Sequence, residues 1–394
     1  MHHTISYDLS CRLMLFAAAT IVFCIGVGGT CRGENPAPKS EYAAAEQQGA
    51  AEGLVERITG GHAHDFKIVV TPEHRDGKDW FAFYTADDGR IVLEGNNGVS
   101  VASALHTYLK QSCGLHLSWC GSCTELPAEL PRPALRVYLN YCTFNYSISW
   151  WDETRWQQEI DFMALNGINM PLALTGQNTV WQKVYRHLGF TDKELEGFFS
   201  GPAFFNWFWM GNLDGWGGPL PQSFINRHEA LQKFILARER SLGMTPVLPA
   251  FTGHVPPGFE TKFPSVRVSK TEWIDYPAVT LLNPSEEMFG TIAKLFLEEQ
   301  IATYGTNHFY SADTFNENLP PASDAEYLSA MSKVVYDGMT AVDPQAVWLM
   351  QAWLFYHQAD FWSEERIEEL LKPIPGDRML LLDLFADYNP VWKH

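Results

Sequence analysis

The stretch "HFYSADTFNENLPP", His308 to Pro321, begins as an apolar run and ends in Asp313, Asn316, Glu317 and two prolines. Its first half has the near-continuous apolar character of a strand buried on both faces. Its second half sets carboxyl groups where that strand stops. The same signature recurs in "RVYLNYC", "INMPLAL", "TPVLPAF", "AVWLMQ" and "RMLLLDL", giving six strands from Arg136 onward. Helical patterns such as "EEMFGTIAKLFLEEQIATYG" and "DAEYLSAMSKVVYDGMTAV" separate several of them. Alternation of this kind predicts a parallel sheet.

The strand ends choose between an open sheet and a barrel. Asn140 and Cys142 close the first; "TGQN", "TGH", "ADTFNE", "QAW" and "DLFAD" follow the others. All strand C-termini converge on one face in a (β/α)8 barrel, whereas a doubly wound sheet uses only the loops near its switch point. Six decorated ends favour the barrel. No strand is followed by a G-x-G-x-x-G or Walker motif, which argues against dinucleotides and nucleotide triphosphates. Residues Gly176 to Gly243 read as a long insertion between the second and third strands. Because a barrel of this type needs eight strands, the chain is expected to be truncated after about six, with an open edge that folds poorly alone.

Upstream, the expected organisation is a signal peptide over residues 1–32, an N-terminal α/β domain over 33–130 and the barrel over 131–394. Arg12 precedes the apolar run Leu13 to Gly28, which is shorter than the ~20 residues of a membrane span. Small residues follow it, as a cleavage site requires; an uncleaved anchor is the other reading. "FKIVVT", "WFAFYT" and "RIVLEG" read as strands with "ADDG" as a turn, and Val101, Ala104, Leu105, Tyr108 and Leu109 recur at helical spacing. "ELPAELPRPALR" is a Pro-rich connector. After cleavage Cys113, Cys120, Cys123 and Cys142 remain, and one disulfide among the first three is expected in a secreted chain. "NYS" at Asn145 is an N-glycosylation sequon that is expected to be buried.

The chain has 394 residues and a net charge of -18. Such a charge repels polyanions and anionic membranes, so neither nucleic acid nor a membrane surface is an expected partner; a sugar or other small molecule fits better. Glu317 is the candidate proton donor: a carboxylic acid walled by aromatic side chains at a strand end is suited to that role. Asn316 beside it could hold a sugar hydroxyl or acetamide. Asp313 is expected to be structural, capping the chain that follows. Asp383, at the end of the sixth strand, is the best in-chain partner if two carboxylates are needed.

The loop "FFNWFWMGNLDGWGGPLP" carries Trp207, Trp209 and Trp216. Their flat faces suit a pyranose ring; a satellite core is the alternative, balanced evenly for Trp209 and Trp216. His62 and His64 precede a strand of the small domain and do not form the strand-end H-x-H of a barrel metallohydrolase. His254, His308, Asp313 and Asp383 make a metal or triad site only by free choice. Cys142 reads as a buried or substrate-lining thiol rather than a nucleophile.

"NYCTFNYSISWWDETRWQQEIDFMALNGINMPLAL", the aromatic loop, "GMTPVLPAFTGHVP", "DTFNENLPP" and "TAVDPQAVWLMQAWLFYHQADFW" together resemble the lysosomal α-N-acetylglucosaminidases, the family 89 glycoside hydrolases, in order from about residue 45 to the end. The resemblance implies a small α/β domain, a (β/α)8 barrel and an all-α C-terminal domain. It further implies exo-removal of terminal α-linked N-acetylglucosamine, from heparan sulfate in the lysosomes of animals, by a retaining mechanism without a cofactor. Glu317 then matches the family's acid/base. Asn140, Cys142, Tyr146, Trp207, Met210, Trp353 and Leu384 match its pocket, as does Trp273 in a neighbourhood that diverges. The family's nucleophile is a Glu at the end of the eighth strand, and the pattern implies that it lies beyond residue 394. Such a fragment is expected to be inactive alone and its full-length parent active, with a homo-oligomer as one expected form of the parent. A non-catalytic sugar-binding protein and a metal-dependent barrel hydrolase are the competing readings.

Overall fold

The computed structural model describes residues 22–23, 42–112 except 76, 115, 117, 136–138 and 141–384. In the N-terminal part, helix α1 (Ala44–Thr59) leads to strands β1 (Phe66–Val70), β2 (Phe81–Thr85) and β3 (Ile91–Gly95), then helix α2 (Gly98–Ser112). β3 is central, parallel to β1 and antiparallel to β2. Val101, Ala104, Leu105 and Leu109 of α2 are buried, and Tyr108 meets Phe66 and Phe83 edge-on.

Six parallel strands follow in chain order: β4 (Val137–Tyr138), β5 (Met170–Pro171), β6 (Leu248–Pro249), β10 (Phe309–Ser311), β11 (Val347–Gln351) and β12 (Met379–Leu382). β4 pairs with β5, a Leu172–Val247 bridge joins β5 to β6, and β6–β10–β11–β12 continue the sheet. Each neighbour in space is the next of these strands in sequence. A doubly wound sheet would reverse direction at a switch point; this order is that of a (β/α) barrel wall. At its β12 edge, Val22–Phe23 pairs antiparallel with Leu381–Leu382. That pair comes from the apolar run read as a signal, so cleavage there would bare the edge.

Helix α3 (Glu153–Leu165) starts at Asp152, whose side chain accepts from the Arg155 backbone N–H, and stops at Asn166–Gly167, with Gly167 at φ +74°. Its buried face holds Trp156, Ile160, Met163 and Ala164. The Gly176–Gly243 segment, expected as a long insertion between the second and third strands, is largely helical. It holds α4 (Gln177–His187) and α5 (Gln222–Ser241), with the aromatic loop between them. Helices α6 (Glu287–Tyr304) and α7 (Ala325–Thr340) are the crossovers flanking β10.

One sheet went unread in the sequence. After β6, strands β7 (His254–Val255), β8 (Val268–Thr271) and β9 (Val279–Leu282) form an antiparallel sheet with β9 central. Prolines 256, 257, 264 and 277 break the segment into runs too short to show a period. This sheet delivers Trp273 on the β8–β9 connection. The next residue, Ile274, is exposed at φ +51°, a costly backbone for a β-branched residue and one that marks functional loops.

An ion cluster ties the two parts together. Asp161 of α3 accepts from Arg57 Nε and Nη2 of α1 at 2.7 and 2.8 Å, and from Arg238 Nη2 of α5 at 3.0 Å. The Val99 N–H also donates to the Leu242 carbonyl at 3.0 Å.

Candidate active site

Glu317 stands six residues past Ser311, the end of β10, and four past Asp313. Trp273 Nε1 donates to its Oε2 at 2.8 Å, and Trp353 Nε1 donates to its Oε1 at 2.9 Å. Gln358 Nε2 donates to the Glu317 carbonyl at 2.9 Å, fixing the backbone beneath the side chain. An ionised carboxylate offers about four lone-pair sites, so two indole donors fix the plane of the group and leave a site on each oxygen for a proton or ligand.

The indoles are themselves held. Trp273 stacks on Trp207 (centroids 4.9 Å apart, 26° between planes) and on Tyr276 (5.0 Å, 17°), and Tyr276 meets Trp216 edge-on at 5.0 Å. Trp353 stacks on His357 at 5.4 Å. Trp273 and Trp353, matched to the pocket through the family resemblance, thus meet the acid by their edges, through N–H groups aimed at one carboxylate. Trp209 resolves as core: it is buried, stacks on Phe205 and donates to Asn178 Oδ1 at 2.8 Å. Trp216 is exposed at the rim.

Cys142, in the short helix Tyr141–Asn145 after β4, is half-buried. Burial first, and then the charge of Glu317, push its thiol up to about 11. A thiol that keeps its proton at neutral pH lines the site and does not attack. Trp207 is half-buried, Met210 and Asn316 are buried, and Leu384 is half-buried just past β12. Tyr146 is 68% exposed. None of Tyr146, Met210 and Leu384 bonds to Glu317. Asn140 lies outside the described residues, as do Cys113, Cys120 and Cys123 with their expected disulfide. The sequon residue Asn145 accepts from the Asn206 N–H at 2.9 Å, and its Nδ2 is buried.

The free combination of His254, His308, Asp313 and Asp383 does not assemble. His254 Nε2 meets Asp214 Oδ1 at 2.6 Å among Trp181, Phe198 and Phe208, and His308 meets Asp343 at 2.8 Å. Asp383 is buried past β12. Among the described residues no three His, Cys, Asp or Glu side chains come together as a metal site, and no helix is long and apolar enough to cross a membrane.

Asp313 corrects the sequence reading. It does not cap the chain after it. It is 4% exposed and reaches across the sheet, accepting from the Gln351 N–H at 2.8 Å and Gln351 Nε2 at 2.9 Å. Burial raises its pKa from 3.8 to about 6 despite these donors and the Tyr141 hydroxyl. The folded pKa exceeds the unfolded one, so the folded state binds the proton more tightly. The resulting stabilisation is full below pH ~4 and is lost as pH rises through ~6, to a limit of about 3 kcal/mol. The melting temperature of the purified protein should therefore gain on its Asp313→Asn variant between pH 7 and pH 5, measured by circular dichroism. Parallel curves would contradict the assignment.

Residues 136–394 match the family described as the α-N-acetylglucosaminidase (NAGLU) tim-barrel domain, and residues 49–132 match its N-terminal domain. A human α-N-acetylglucosaminidase is 43% identical over 394 aligned positions, covering 95% of this chain and 52% of that protein. A family 89 glycoside hydrolase from Clostridium perfringens, solved with 2-acetamido-1,2-dideoxynojirimycin, superposes with a TM-score of 0.80 at 29% identity, over 90% of this chain and 41% of that one. The same bacterial enzyme, with two glutamates changed to glutamine and bound to its substrate GlcNAc-α-1,4-galactose, gives 0.79 at 29% identity, over 88% and 40%. The chain thus spans about half the length of the curated relative it matches.

Proposed function

Because the chain belongs to the α-N-acetylglucosaminidase family, we propose that its full-length protein removes terminal α-linked N-acetylglucosamine by a retaining, two-carboxylate mechanism. The observation that carries this reading is Glu317 at a barrel strand end with both oxygens oriented by indole N–H groups. Protonated, Glu317 gives its proton to the glycosidic oxygen as the bond to the anomeric carbon breaks. A second carboxylate attacks that carbon from the other face and forms a glycosyl ester. Glu317, now ionised, takes a proton from the water that hydrolyses the ester. The two glutamates replaced in the bacterial substrate complex are in keeping with this division of labour.

Residues 131–394 are the part of the catalytic domain that holds the acid, and residues 33–130 are the accompanying α/β domain. The nucleophile is a Glu beyond residue 394. Asn140, Cys142, Tyr146, Trp207, Met210, Trp273, Asn316, Trp353 and Leu384 form the sugar pocket. The substrate is a heparan sulfate or similar glycan end, and the location is the secretory pathway, in the lysosomal lumen or outside the cell. A chain with net charge -18 does not suit tracking along a sulfated polymer, but an exo-enzyme takes in only the terminal sugar.

The test is hydrolysis of an aryl α-N-acetylglucosaminide between pH 4 and 7 by the full-length protein and by residues 33–394 alone. Turnover by the former, and none by the latter when it melts cooperatively, is expected. Turnover by residues 33–394 that disappears in Glu317→Gln would move the second carboxylate into this chain, with Asp383 the candidate. No turnover by the full-length protein, with retained binding of N-acetylglucosamine, would favour the sugar-binding reading.

A further inference from the structure

The carboxylate of Asp313 lies where three strand ends meet, and each of those ends leads directly into the candidate active site. Asp313 stands two residues past Ser311, the end of β10, and four residues before Glu317. Its Oδ1 and Oδ2 take the backbone and side-chain N–H groups of Gln351, the last residue of β11 and two before Trp353. The Tyr141 hydroxyl reaches Asp313 from the end of β4 and also bonds Ser311 Oγ at 2.5 Å; Cys142 is the next residue. Above this junction, Trp353 donates to Glu317. Two further bonds brace the β11 end, Trp348 Nε1 to the Ala312 carbonyl past β10 at 2.8 Å and the Ala352 N–H to the Leu382 carbonyl of β12 at 2.9 Å.

We propose that Asp313 is a positioning residue for Glu317: by fixing the Gln351 end of β11 and the Tyr141 end of β4 it sets the Trp353 indole and the Cys142 wall around the acid. The argument is geometric. Asp313 holds both the backbone N–H and the side chain of Gln351, two residues before Trp353, and so adds to the Ala352–Leu382 bond in fixing that strand end. An Asn at 313 has one acceptor and one donor in place of two acceptors, so it cannot receive both Gln351 N–H groups as Asp313 does. The Trp353–Glu317 bond then loses its fixed geometry. A misplacement of about 1 Å caused by a remote substitution lowers the rate by up to about 10²-fold.

This inference rests on the hydrolase reading above. The experiment compares Asp313→Asn and Gln351→Met with the unaltered full-length protein on two aryl α-N-acetylglucosaminides. One has a poor leaving group that needs a proton, and the other a dinitrophenolate that leaves without one. Positioning of the acid predicts a kcat loss at least tenfold larger on the poor leaving group, with KM little changed, in both variants. Equal losses on the two substrates, or no loss, would overturn the proposal. The second readout does not need turnover: in 15N-tryptophan-labelled protein the Trp353 indole N–H resonance should move in Asp313→Asn as it does in Glu317→Gln. An unmoved resonance in a folded variant would also overturn it. If the unaltered protein hydrolyses neither substrate, the hydrolase reading fails, and the indole resonance alone decides the role of Asp313.

Discussion

Replacing Glu317 with Gln in the full-length protein is expected to lower kcat by about 10²- to 10⁴-fold, the range over which positioned acids and bases contribute. The loss should be largest for substrates whose leaving group needs a proton, and smaller for a dinitrophenyl glycoside. The geometry adds a second effect. Both oxygens of Glu317 accept indole N–H bonds, but a Gln side chain offers one oxygen and one NH₂. One of Trp273 or Trp353 must then face a donor with its own donor. Losing a partner at a part-buried site costs about 1–3 kcal/mol, so the variant should also melt lower. Steady-state kinetics with the two leaving groups, beside a thermal melt, checks both. A variant with unchanged kcat on the poor leaving group would remove Glu317 from the chemistry.

The second large effect is expected far from that site. Asp161 stands between Arg57 and Arg238, with Gln157 Nε2 donating to it at 3.0 Å. Asp161→Ala leaves two guanidinium groups facing each other around a hole. Removing one partner of a buried ion cluster costs about 3–5 kcal/mol. Arg57 keeps some access to water, with 37% of its side chain exposed, which favours the lower end, about 3 kcal/mol. Because the cluster joins α1 to α3 and α5, the N-terminal part should also detach more readily. Urea unfolding should show a lower midpoint, and limited proteolysis should show faster loss of the intact chain. A change below about 0.5 kcal/mol would mean that the cluster behaves as an ordinary surface pair.

The sequence exposed the barrel wall because its strands are apolar throughout. "AVWLMQ" carries burial on both faces as unbroken apolar letters, and "RMLLLDL" is as apolar although Met379 and Leu381 are only half-buried; the order β4–β5–β6–β10–β11–β12 follows. The stop of α3 was legible in "NG" because Gly167 takes a left-handed φ. The antiparallel β7–β9–β8 sheet was not, since its strands are two to four residues long and separated by prolines.

Within the site the same division holds. Glu317 was readable as an acid at a strand end. Trp353 and Trp273 were readable only as pocket aromatics through the family resemblance. Their N–H bonds to opposite oxygens of one carboxylate depend on elements 36 and 44 positions away. Asp313 looked like a local cap because its partner, Gln351, is 38 positions on. Tyr276 and Gln358, which steady Trp273 and the Glu317 backbone, carry no sequence signal of their own. Long-range pairing of this kind is set by strand register, which no window of sequence contains.

The role assigned to Glu317 is tested most directly by chemical rescue. The full-length Glu317→Ala variant is given a dinitrophenyl α-N-acetylglucosaminide and azide, and the product is analysed by proton NMR. An acid/base residue of a retaining enzyme leaves the nucleophile in place, so azide should intercept the glycosyl ester and yield the α-glycosyl azide with restored turnover. A β-glycosyl azide would make Glu317 the nucleophile instead, and no rescue in a folded variant would contradict its part in the reaction.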